Sequence, residues 1–532
     1  MSSGKFCYDL PSCAVEETFA KSLLLLFSPG SQTPTKAGFS AVISHTNFLD
    51  LSMTATLSRA AWASNFSQNA VEFDRTGLEL ISGQIPAALK GSLYRNGPGR
   101  LSRGREKVGH WFDGDGAILA VHFGEGRAEG QYRYVQTQGY TEEEEAGRYL
   151  YGNYGMVDPQ GVWHYWKSLF SQNDVLKNAA NTSVIALPDR LLALWEAGHP
   201  YALDLENLAT LGREDFGGAF QPGQPFSAHP LRDPLTEEIF SIGVDFQFNL
   251  NLYRLDGRGN LLKHRRLKLS RTPFCHSFCL AGRYLILFLP PITLNQFSLL
   301  LGNVAYADAL GWDAEGGTKV LVIDRQTLEI VSEGETESWF QWHYGNGCEL
   351  EDGNVRLDFV RFSDFAQTNE YLREVPTGAV KTSTNGQLWQ ATLNPQTAKI
   401  VELTKVLDRS GEFPVVNPQR TGQPWRYTYM ALQRPAEILG SQWFGEIARI
   451  DYHTGDVITA KLGEHQYPVE PLYIPHPDDG DRGWIITVVY DGDRHGSEMW
   501  LWDADRLQEE PICRLALPEV IPFSFHGTWR PA

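Results

Sequence analysis

The sequence predicts an all-β fold, a seven-bladed β-propeller. A hairpin of two alternating apolar strands joined by a short turn recurs seven times along the 532 residues. Two further strand candidates precede most of these hairpins, and four strands per unit is typical of a propeller blade. Few segments carry a helical period, and no linker rich in Pro, Gly and Ser divides the chain. Weak similarity between the units leaves one alternative, a β-sandwich followed by a separate β domain.

The hairpins follow from strand alternation and from turns that often open on Asp or Asn, whose side chains can bond the turn backbone. The first strand of each propeller blade lines the central axis, so residues on these strands should converge. The last strand contains His526 and has no outer hairpin of its own, so we expect it to complete the N-terminal blade that begins at Gly91. The seven hairpins begin at Ile118, Tyr201, Asn251, Lys319, Leu388, Glu446 and Met499.

The chain is predicted to contain one propeller domain, residues 61–532, after a poorly ordered extension, residues 1–60. The first fifty residues are rich in Ser and Thr and have no clear period. The apolar run within residues 19–30 follows Glu16 and Glu17 and is shorter than the roughly 20 residues that span a bilayer. It predicts neither a secretory signal nor a membrane helix, and Met53 is a candidate for the true start.

Charge and cysteine usage narrow the possible partners and the compartment. The formal net charge is −18 and no Lys/Arg cluster stands out, which argues against nucleic-acid binding because phosphate recognition needs a basic surface. The six cysteines are scattered without a paired framework, which is typical of a reducing compartment. We therefore expect a cytoplasmic protein; the sequence identifies no protein partner.

Histidine and glutamate recur at equivalent places on the predicted inner strands. A single histidine in a strand is most often a structural residue, but four at equivalent blade positions point to a shared site. The other ten histidines, such as His264 and His453, show no such correspondence. The residues at the inner positions are Thr182, His229, His276, His343, Glu412, Glu470 and His526.

Four neutral imidazoles suit a divalent first-row metal ion. Zinc would be satisfied by four ligands in a closed tetrahedral site, whereas iron(II) prefers six and would leave two positions for dioxygen and substrate. A ring of strands favours the open arrangement, but both metals remain candidates from the residues alone. A ligating histidine normally donates its second N–H to a carboxylate or carbonyl. Glu412, Glu470 and Glu196, which lies among apolar residues on a second strand, are candidates for this role.

With these residues in hand, the sequence resembles the carotenoid cleavage oxygenases, and most of all the cyanobacterial apocarotenoid oxygenases. The likeness runs from about residue 85 to residue 526. Its motifs are LYRNGPG, HWFDGDGAI, NTSV, LLALWEAG, SAHPLRDP, EFPVVNP, VEPLYIP and FHGTW. The resemblance implies a seven-bladed propeller with a four-histidine iron(II) centre on its axis, covered by a dome of loops and short helices.

The resemblance also implies roles for the candidate residues. His229, His276, His343 and His526 would be the iron ligands. Glu196, Glu412 and Glu470 would orient His276, His343 and His526 respectively, which leaves His229 without a carboxylate. Thr182 would place its methyl group near an open coordination position. Ser277, where the family commonly has an acidic residue, and Trp342 before the third ligand depart from the family pattern and leave the substrate open.

The reaction that the resemblance implies is oxidative cleavage of a conjugated C=C bond, with one iron(II) per chain and dioxygen as co-substrate. The substrate would be an apolar polyene, an apocarotenoid or a carotenoid, and the products aldehydes or ketones. Phe112, Trp195 and Trp342 would suit an apolar tunnel, although ordinary core packing explains each equally well. The alternatives on the same scaffold are cleavage of stilbenes and isomerisation of a retinoid ester. A different class is a non-catalytic propeller that binds partners and holds a structural metal or none.

A polyene substrate resides in membranes, so peripheral membrane association is expected. Residues 161–178 place four large apolar residues at near-helical spacing beside Lys167. This pattern fits a helix that dips into one leaflet at a tunnel mouth, and a buried helix of the dome explains it equally well. The residues of this predicted membrane patch are Trp163, Trp166, Leu169 and Phe170.

Overall fold

The structure, a computed structural model, describes residues 60–164, 176–221, 223–245, 247–269, 271, 273–434 and 443–532. The predicted extension, residues 1–60, lies outside the described residues apart from Ala60. Strands dominate the described part of the chain, and its α-helices are short. The all-β prediction is therefore confirmed.

The strands are numbered in chain order. The first fifteen are β1 (Phe73–Gly77), β2 (Glu79–Gly83), β3 (Gly91–Arg100), β4 (Ser102–Arg103), β5 (Glu106–Lys107), β6 (Asp115–Gly124), β7 (Arg127–Tyr134), β8 (Ser183–Ala186), β9 (Leu191–Leu194), β10 (Tyr201–Leu203), β11 (Thr210–Arg213), β12 (Leu231–Arg232), β13 (Ile239–Val244), β14 (Asn249–Leu255) and β15 (Leu261–Lys268).

The strands of the second half follow. They are β16 (Cys279–Ala281), β17 (Tyr284–Leu289), β18 (Ile292–Leu294), β19 (Leu310–Trp312), β20 (Thr318–Asp324), β21 (Ile330–Thr336), β22 (Phe340–Glu349), β23 (Val355–Phe362), β24 (Gln387–Asn394), β25 (Lys399–Lys405), β26 (Gly411–Val415), β27 (Tyr427–Gln433), β28 (Phe444–Asp451), β29 (Val457–Thr459), β30 (Gln466–Pro468), β31 (Leu472–His476), β32 (Asp479–Asp491), β33 (Gly496–Asp503), β34 (Cys513–Ala516) and β35 (Gly527–Pro531).

Helical segments connect these strands. The α-helices whose full range is described are α1 (Gln138–Ala146), α2 (Gln296–Leu300), α3 (Tyr306–Ala309) and α4 (Phe365–Glu374). Segments of 3-10 helix span Ala61–Ser67, Trp111–Asp113, Val375–Thr377, Pro418–Arg420 and Ala504–Arg506. Among the described residues, no helix has the length and the apolar character needed to cross a membrane.

The longer strands form a propeller-like set of antiparallel sheets. Seven sheets of the described residues contain four or more strands. In the order of hydrogen-bonded neighbours they are sheet 1, β1-β7-β6-β3-β35; sheet 2, β11-β10-β9-β8; sheet 3, β12-β13-β14-β15; sheet 4, β16-β17-β20-β21; sheet 5, β22-β23-β24-β25; sheet 6, β26-β27-β28-β29; and sheet 7, β2-β34-β33-β32, where β30 and β31 both pair with β32.

Strand position within a sheet explains the sequence pattern. The middle strand β17 reads YLILFL and is buried at every residue, because neighbouring sheets cover both of its faces. The outermost strand β21 alternates between half-buried and exposed residues, which is the period-2 pattern of a strand with one solvated face. Apolar runs therefore identify the middle strands, and alternation identifies the outer ones.

The two ends of the described chain interlock in sheets 1 and 7. Strand β35, near the C-terminus, pairs with β3, from Gly91 opposite Pro531 to Arg95 opposite Gly527. Strand β2 crosses in the other direction and pairs with β34, with Glu79 opposite Ala516. Sheet 1 therefore contains the strand that the sequence assigns to the N-terminal blade. Each of these two sheets is completed by a strand from the opposite end of the chain.

Removing β35 should destabilise the protein. A chain that ends at His526 loses all five pairs with β3 and the contact between the Trp529 and Phe123 rings, whose centroids lie 6.0 Å apart. We expect its thermal transition to fall by several degrees, measured by circular dichroism. A chain that ends at Pro531 keeps every pair and serves as the control. Equal transitions for the two truncated chains would contradict the role of β35.

Candidate metal centre

At one edge of each of the seven sheets lies a strand that contains or adjoins a residue predicted for the site. These edge strands are β35, β8, β12, β16, β22, β26 and the pair β30 and β31. His343 and Glu412 lie within β22 and β26. Thr182 and His526 directly precede β8 and β35. The other residues lie within three positions of an edge strand, except Glu196, which follows β9.

The structure brings the four predicted histidines together. One ring nitrogen from each of them lies within 4.8 Å of the corresponding atom of every other. The ring of His229 contacts the other three, with centroid distances of 4.4 Å to His276, 5.1 Å to His343 and 4.6 Å to His526. Nε2 of His276 lies 3.2 Å from Nε2 of His343. Four side chains from four different sheets thus face one point.

These imidazoles are suited to a cation. Burial lowers the pKa of His229 well below its usual value, and the neighbouring imidazoles lower it further. Burial also lowers the pKa of His526, although the Glu470 carboxylate opposes part of this shift. Nε2 of His229 is buried without a hydrogen-bond partner among the described residues. Ring nitrogens of four imidazoles that converge on one point match the donor set of a divalent metal ion.

Three carboxylates lie on the opposite ring nitrogens. Glu412 Oε2 is 2.7 Å from Nδ1 of His343, and Glu470 Oε1 is 2.7 Å from Nδ1 of His526. Glu196 Oε1 lies beside Nδ1 of His276. The contacts of His343 and His526 are hydrogen bonds. An ionised carboxylate only accepts, so Nδ1 donates in these two pairs and the lone pair of Nε2 faces the cluster. Among the described residues, no carboxylate contacts His229, whose ring packs on the other three imidazoles.

Irregular pairing in two edge strands sets the orientation of the His343 and Glu412 side chains. In β22 the pairing with β23 shifts between Gln341 and Tyr344, so two residues, one of which is His343, stand opposite one residue of β23. In β26 the pairing with β27 shifts after Glu412. A β-bulge inserts one extra residue and turns the side chains of the bulged strand. Both members of the pair are thus placed by bulges, which strand alternation alone does not predict.

Arg95 is a site residue that the sequence analysis named only as part of a motif. Its side chain is fully buried, and it donates from Nη1 to the carbonyl oxygen of Glu470 at 2.9 Å, from Nη2 to that of Phe525 at 3.1 Å and from Nε to Ser524 Oγ at 3.1 Å. Burial lowers the pKa of Arg95 to about 10, so it stays charged at neutral pH. The signal that could have identified it is a single charged residue within the otherwise uncharged run from Gly91 to Gly99.

Asn96 and Thr182 hold the backbone at His526. Asn96 donates its backbone N–H to the carbonyl oxygen of His526 at 2.8 Å, and His526 donates its own to the carbonyl oxygen of Thr182 at 3.3 Å. The Thr182 hydroxyl donates to Asn181 Oδ1 at 3.0 Å. The chain at the fourth imidazole is therefore fastened both to β3 of its own sheet and to the residue that precedes β8 of sheet 2.

Of the three aromatic residues predicted for a tunnel, Trp342 is the one in contact with the imidazoles. Its ring lies edge-on to His276 with centroids 4.9 Å apart. Phe112 lies one step further out, with its ring centroid 5.5 Å from that of Trp342. Trp195 precedes Glu196, and a Cβ at Gly198 would lie 3.3 Å from its ring. The departure at Ser277 has a structural role, since its hydroxyl donates to the carbonyl oxygen of Trp342 at 2.5 Å.

The comparison with known proteins identifies the family. The chain matches the family model described as RPE65, retinal pigment epithelial membrane protein, over residues 66–531. The chain belongs to this family. It is 34% identical over 485 residues to apocarotenoid-15,15'-oxygenase of Synechocystis sp., which covers 88% of this chain and 96% of that protein. The resemblance to the carotenoid cleavage oxygenases is thereby confirmed.

One further relative and a crystal structure of the Synechocystis oxygenase extend the comparison. Resveratrol cleavage oxygenase 1 of Aspergillus fumigatus is 26% identical over 490 residues, 86% of this chain and 93% of that protein. The crystal structure of cobalt-substituted Synechocystis apocarotenoid oxygenase aligns with a TM-score of 0.81 at 31% identity and covers 89% of this chain and 98% of that one. The propeller-like arrangement of sheets is therefore the fold of this oxygenase family.

The predicted membrane patch of this oxygenase lies mostly outside the described residues. Trp163 is described, and it is 85% exposed. Trp166, Leu169 and Phe170 fall within residues 165–175, which the structure does not describe. The described part of the patch therefore presents one large apolar side chain to solvent.

Removing one imidazole should abolish metal binding. With His343 changed to Ala, we expect the metal bound after reconstitution to fall from about one ion per chain to almost none, because three neutral ligands bind less tightly than four. Elemental analysis of the dialysed protein measures this ratio. The control His453→Ala changes an exposed histidine that is not part of the cluster and should keep the full ratio of metal to protein. Equal metal content in the two variants would contradict the assignment.

Proposed function

We propose that this chain is a non-haem iron(II)-dependent dioxygenase that cleaves a conjugated C=C bond of an apocarotenoid or carotenoid to aldehyde or ketone products. The observation that carries the proposal is the convergence of four imidazoles on one point in a member of this oxygenase family. The similarity to apocarotenoid-15,15'-oxygenase over 88% of the chain supports the choice of substrate class.

The donor set supports iron(II) rather than a structural zinc ion. His229, His276, His343 and His526 would hold the metal through neutral nitrogens, so its positive charge stays undiminished by the ligands. Four ligands leave two of the six positions that iron(II) prefers. When bound, iron(II) would supply activation of dioxygen, whose two oxygen atoms balance the two carbonyl groups formed from one C=C bond.

The chain's own residues would orient and protect this centre. Glu412 and Glu470 accept hydrogen bonds from Nδ1 of His343 and His526 and so keep Nε2 of both available as ligands, and Glu196 lies beside Nδ1 of His276. Thr182 would lie near an open coordination position. Phe112, Trp195 and Trp342 would line an apolar tunnel for a rigid polyene, because such pockets bind through apolar walls and few polar groups.

We further propose that the seven larger sheets are the seven blades of one closed propeller in a single domain, residues 61–532. The interlocked strands of sheets 1 and 7 support closure of the ring. The grouping of residues 58–532 into one compact unit supports a single domain. The helices α1 to α4, which lie in the connections between strands, would form the dome with the loops.

The activity can be tested on metal-free protein reconstituted anaerobically with iron(II). After admission of oxygen, we expect carbonyl products from a panel of apocarotenals and carotenoids, detected by chromatography. Glu412→Gln should lower kcat/KM about 10–100-fold, because the orientation of His343 is lost. The control Glu402→Gln, at an exposed strand residue, should retain full activity.

Other products would redirect the proposal. The similarity to resveratrol cleavage oxygenase 1 makes stilbenes the second substrate class to include in the panel. Cleavage of stilbenes alone would move the assignment to that class, and isomerisation of a retinoid ester without cleavage would make the protein an isomerase. The absence of any product from correctly loaded protein would leave the non-catalytic scaffold.

We also propose peripheral association with a membrane as the source of the polyene. Besides Trp163, the segment of α2 presents Phe297, Leu300 and Leu301, which are 67%, 37% and 45% exposed. The backbone N–H of Ala307, in α3, donates to the carbonyl oxygen of Tyr154 at 2.7 Å, which joins the chain that follows α2 to the chain that precedes Trp163. Exposed apolar side chains grouped in this way are typical of membrane contact.

Phosphatidylcholine vesicles test this surface. The double variant Trp163→Ser with Phe297→Ser should lose most of the vesicle-bound fraction in a flotation assay, because the buried apolar area falls. Leu211→Ser removes a similarly exposed residue, 63% exposed, from the outer strand β11 and is the matched control. Binding that survives in the double variant would refute this membrane surface.

A further inference from the structure

Phe413 is one of ten described non-glycine residues with a positive φ. Its φ is +60°, in the left-handed region where a bulky aromatic residue is strained and glycine is the usual occupant. Pro414 follows it, and a residue before proline favours extended backbone. A glycine at position 413 would adopt this conformation without strain. An aromatic side chain therefore occupies a position whose backbone conformation favours glycine, and this points to a role for the ring.

The left-handed conformation turns the backbone toward Glu412. Phe413 donates its backbone N–H to Glu412 Oε2 at 2.6 Å, and the same oxygen lies 2.7 Å from Nδ1 of His343. Pairing between β26 and β27 shifts at this point, so Phe413 and Pro414 together stand opposite Met430. This is the arrangement of a bulge whose first residue is left-handed. The backbone of Phe413 therefore holds the Glu412 carboxylate in place, and that carboxylate orients the imidazole of His343.

The ring of Phe413 packs on two of the four imidazoles. Its centroid lies 5.5 Å from that of His343 and 5.4 Å from that of His526, and those two imidazoles are 4.7 Å apart. Phe444 lies behind it, with centroids 5.7 Å apart. Phe413 itself is 8% exposed. The ring therefore limits how both imidazoles can turn, and at the same place it keeps water from the cluster.

We propose that Phe413 is a positioning residue of the metal centre. Its left-handed backbone holds Glu412 on His343, and its ring fixes the planes of His343 and His526 relative to each other. The inference rests on the proposed function, because it takes the four histidines to be the ligands of a divalent ion. Phe413 would act through the imidazoles of His343 and His526 and through the carboxylate of Glu412.

Cobalt(II) binding to the metal-free protein tests this role, because the visible absorption of cobalt reports the geometry of its ligands. Phe413→Gly removes the ring and leaves a backbone that accepts φ of +60°. We expect its cobalt affinity to fall about 10–100-fold and its visible bands to shift. Phe413→Ala also removes the ring and keeps the backbone strain, so it should show the same spectral change with a lower thermal transition than the glycine variant.

The controls separate positioning from packing. Phe444→Leu alters the neighbour of Phe413 and should keep the cobalt spectrum of the unmodified protein while lowering its thermal transition. If Phe413 only fills space, Phe413→Gly will lower the thermal transition and leave the cobalt spectrum and affinity unchanged, and the proposal is then wrong. Should the glycine variant fail to fold, Phe413→Leu keeps the bulk without the flat ring, and an unchanged spectrum there overturns the proposal equally.

The proposed function fails in a different way. In that case the unmodified protein binds no cobalt, or His343→Ala binds it with the same spectrum. The spectra of the Phe413 variants are therefore compared with that of His343→Ala, which should show no bound cobalt if the four histidines are the ligands. The two failures are therefore distinguishable within one set of spectra.

Discussion

The convergence of four imidazole nitrogens within 4.8 Å is the constraint on which the rest of the structure depends. Each of the seven larger sheets contributes to it. Sheets 1, 3, 4 and 5 supply the four histidines, and sheets 2, 6 and 7 supply the three glutamates. A displacement of any one sheet would move one ligand or its partner. The strand pairing that joins the two ends of the chain therefore matters to the site as much as to the fold.

The electrostatics of the centre are divided between two layers. In the inner layer, burial disfavours protonation of His229 and His526. In the outer layer, the carboxylates of Glu412 and Glu470 accept hydrogen bonds from Nδ1 of His343 and His526, and Glu196 lies beside Nδ1 of His276. Arg95 adds a buried positive charge, with Nη2 3.6 Å from Oε2 of Glu470. Without that cation, the buried carboxylate would lack part of its compensation, and its hold on His526 would weaken.

Backbone irregularity occurs where the site needs a side chain turned out of the regular pleat. The bulges in β22 and β26 and the left-handed residue Phe413 all lie beside the hydrogen-bonded pair of His343 and Glu412. A regular strand would send alternate side chains to opposite faces and could not place Trp342 and His343 where they are. The aromatic rings of Trp342 and Phe413 then cover the imidazoles from two neighbouring strands.

The sequence by itself determined the all-β class and the four histidines as candidates, because both follow from local repetition: alternation of period 2 and equivalent positions in successive units. The family resemblance supplied the pairing of each glutamate with a histidine. Only the tertiary structure decided the bulges at His343 and Glu412, the backbone at Phe413 and the role of Arg95. Arg95 and Glu470 are 375 positions apart and meet because the chain ends interlock, and such a contact leaves no trace in neighbouring residues. The alternation of apolar residues along the sequence specifies a strand. The orientation of an individual side chain depends on contacts that exist only after the sheets have assembled.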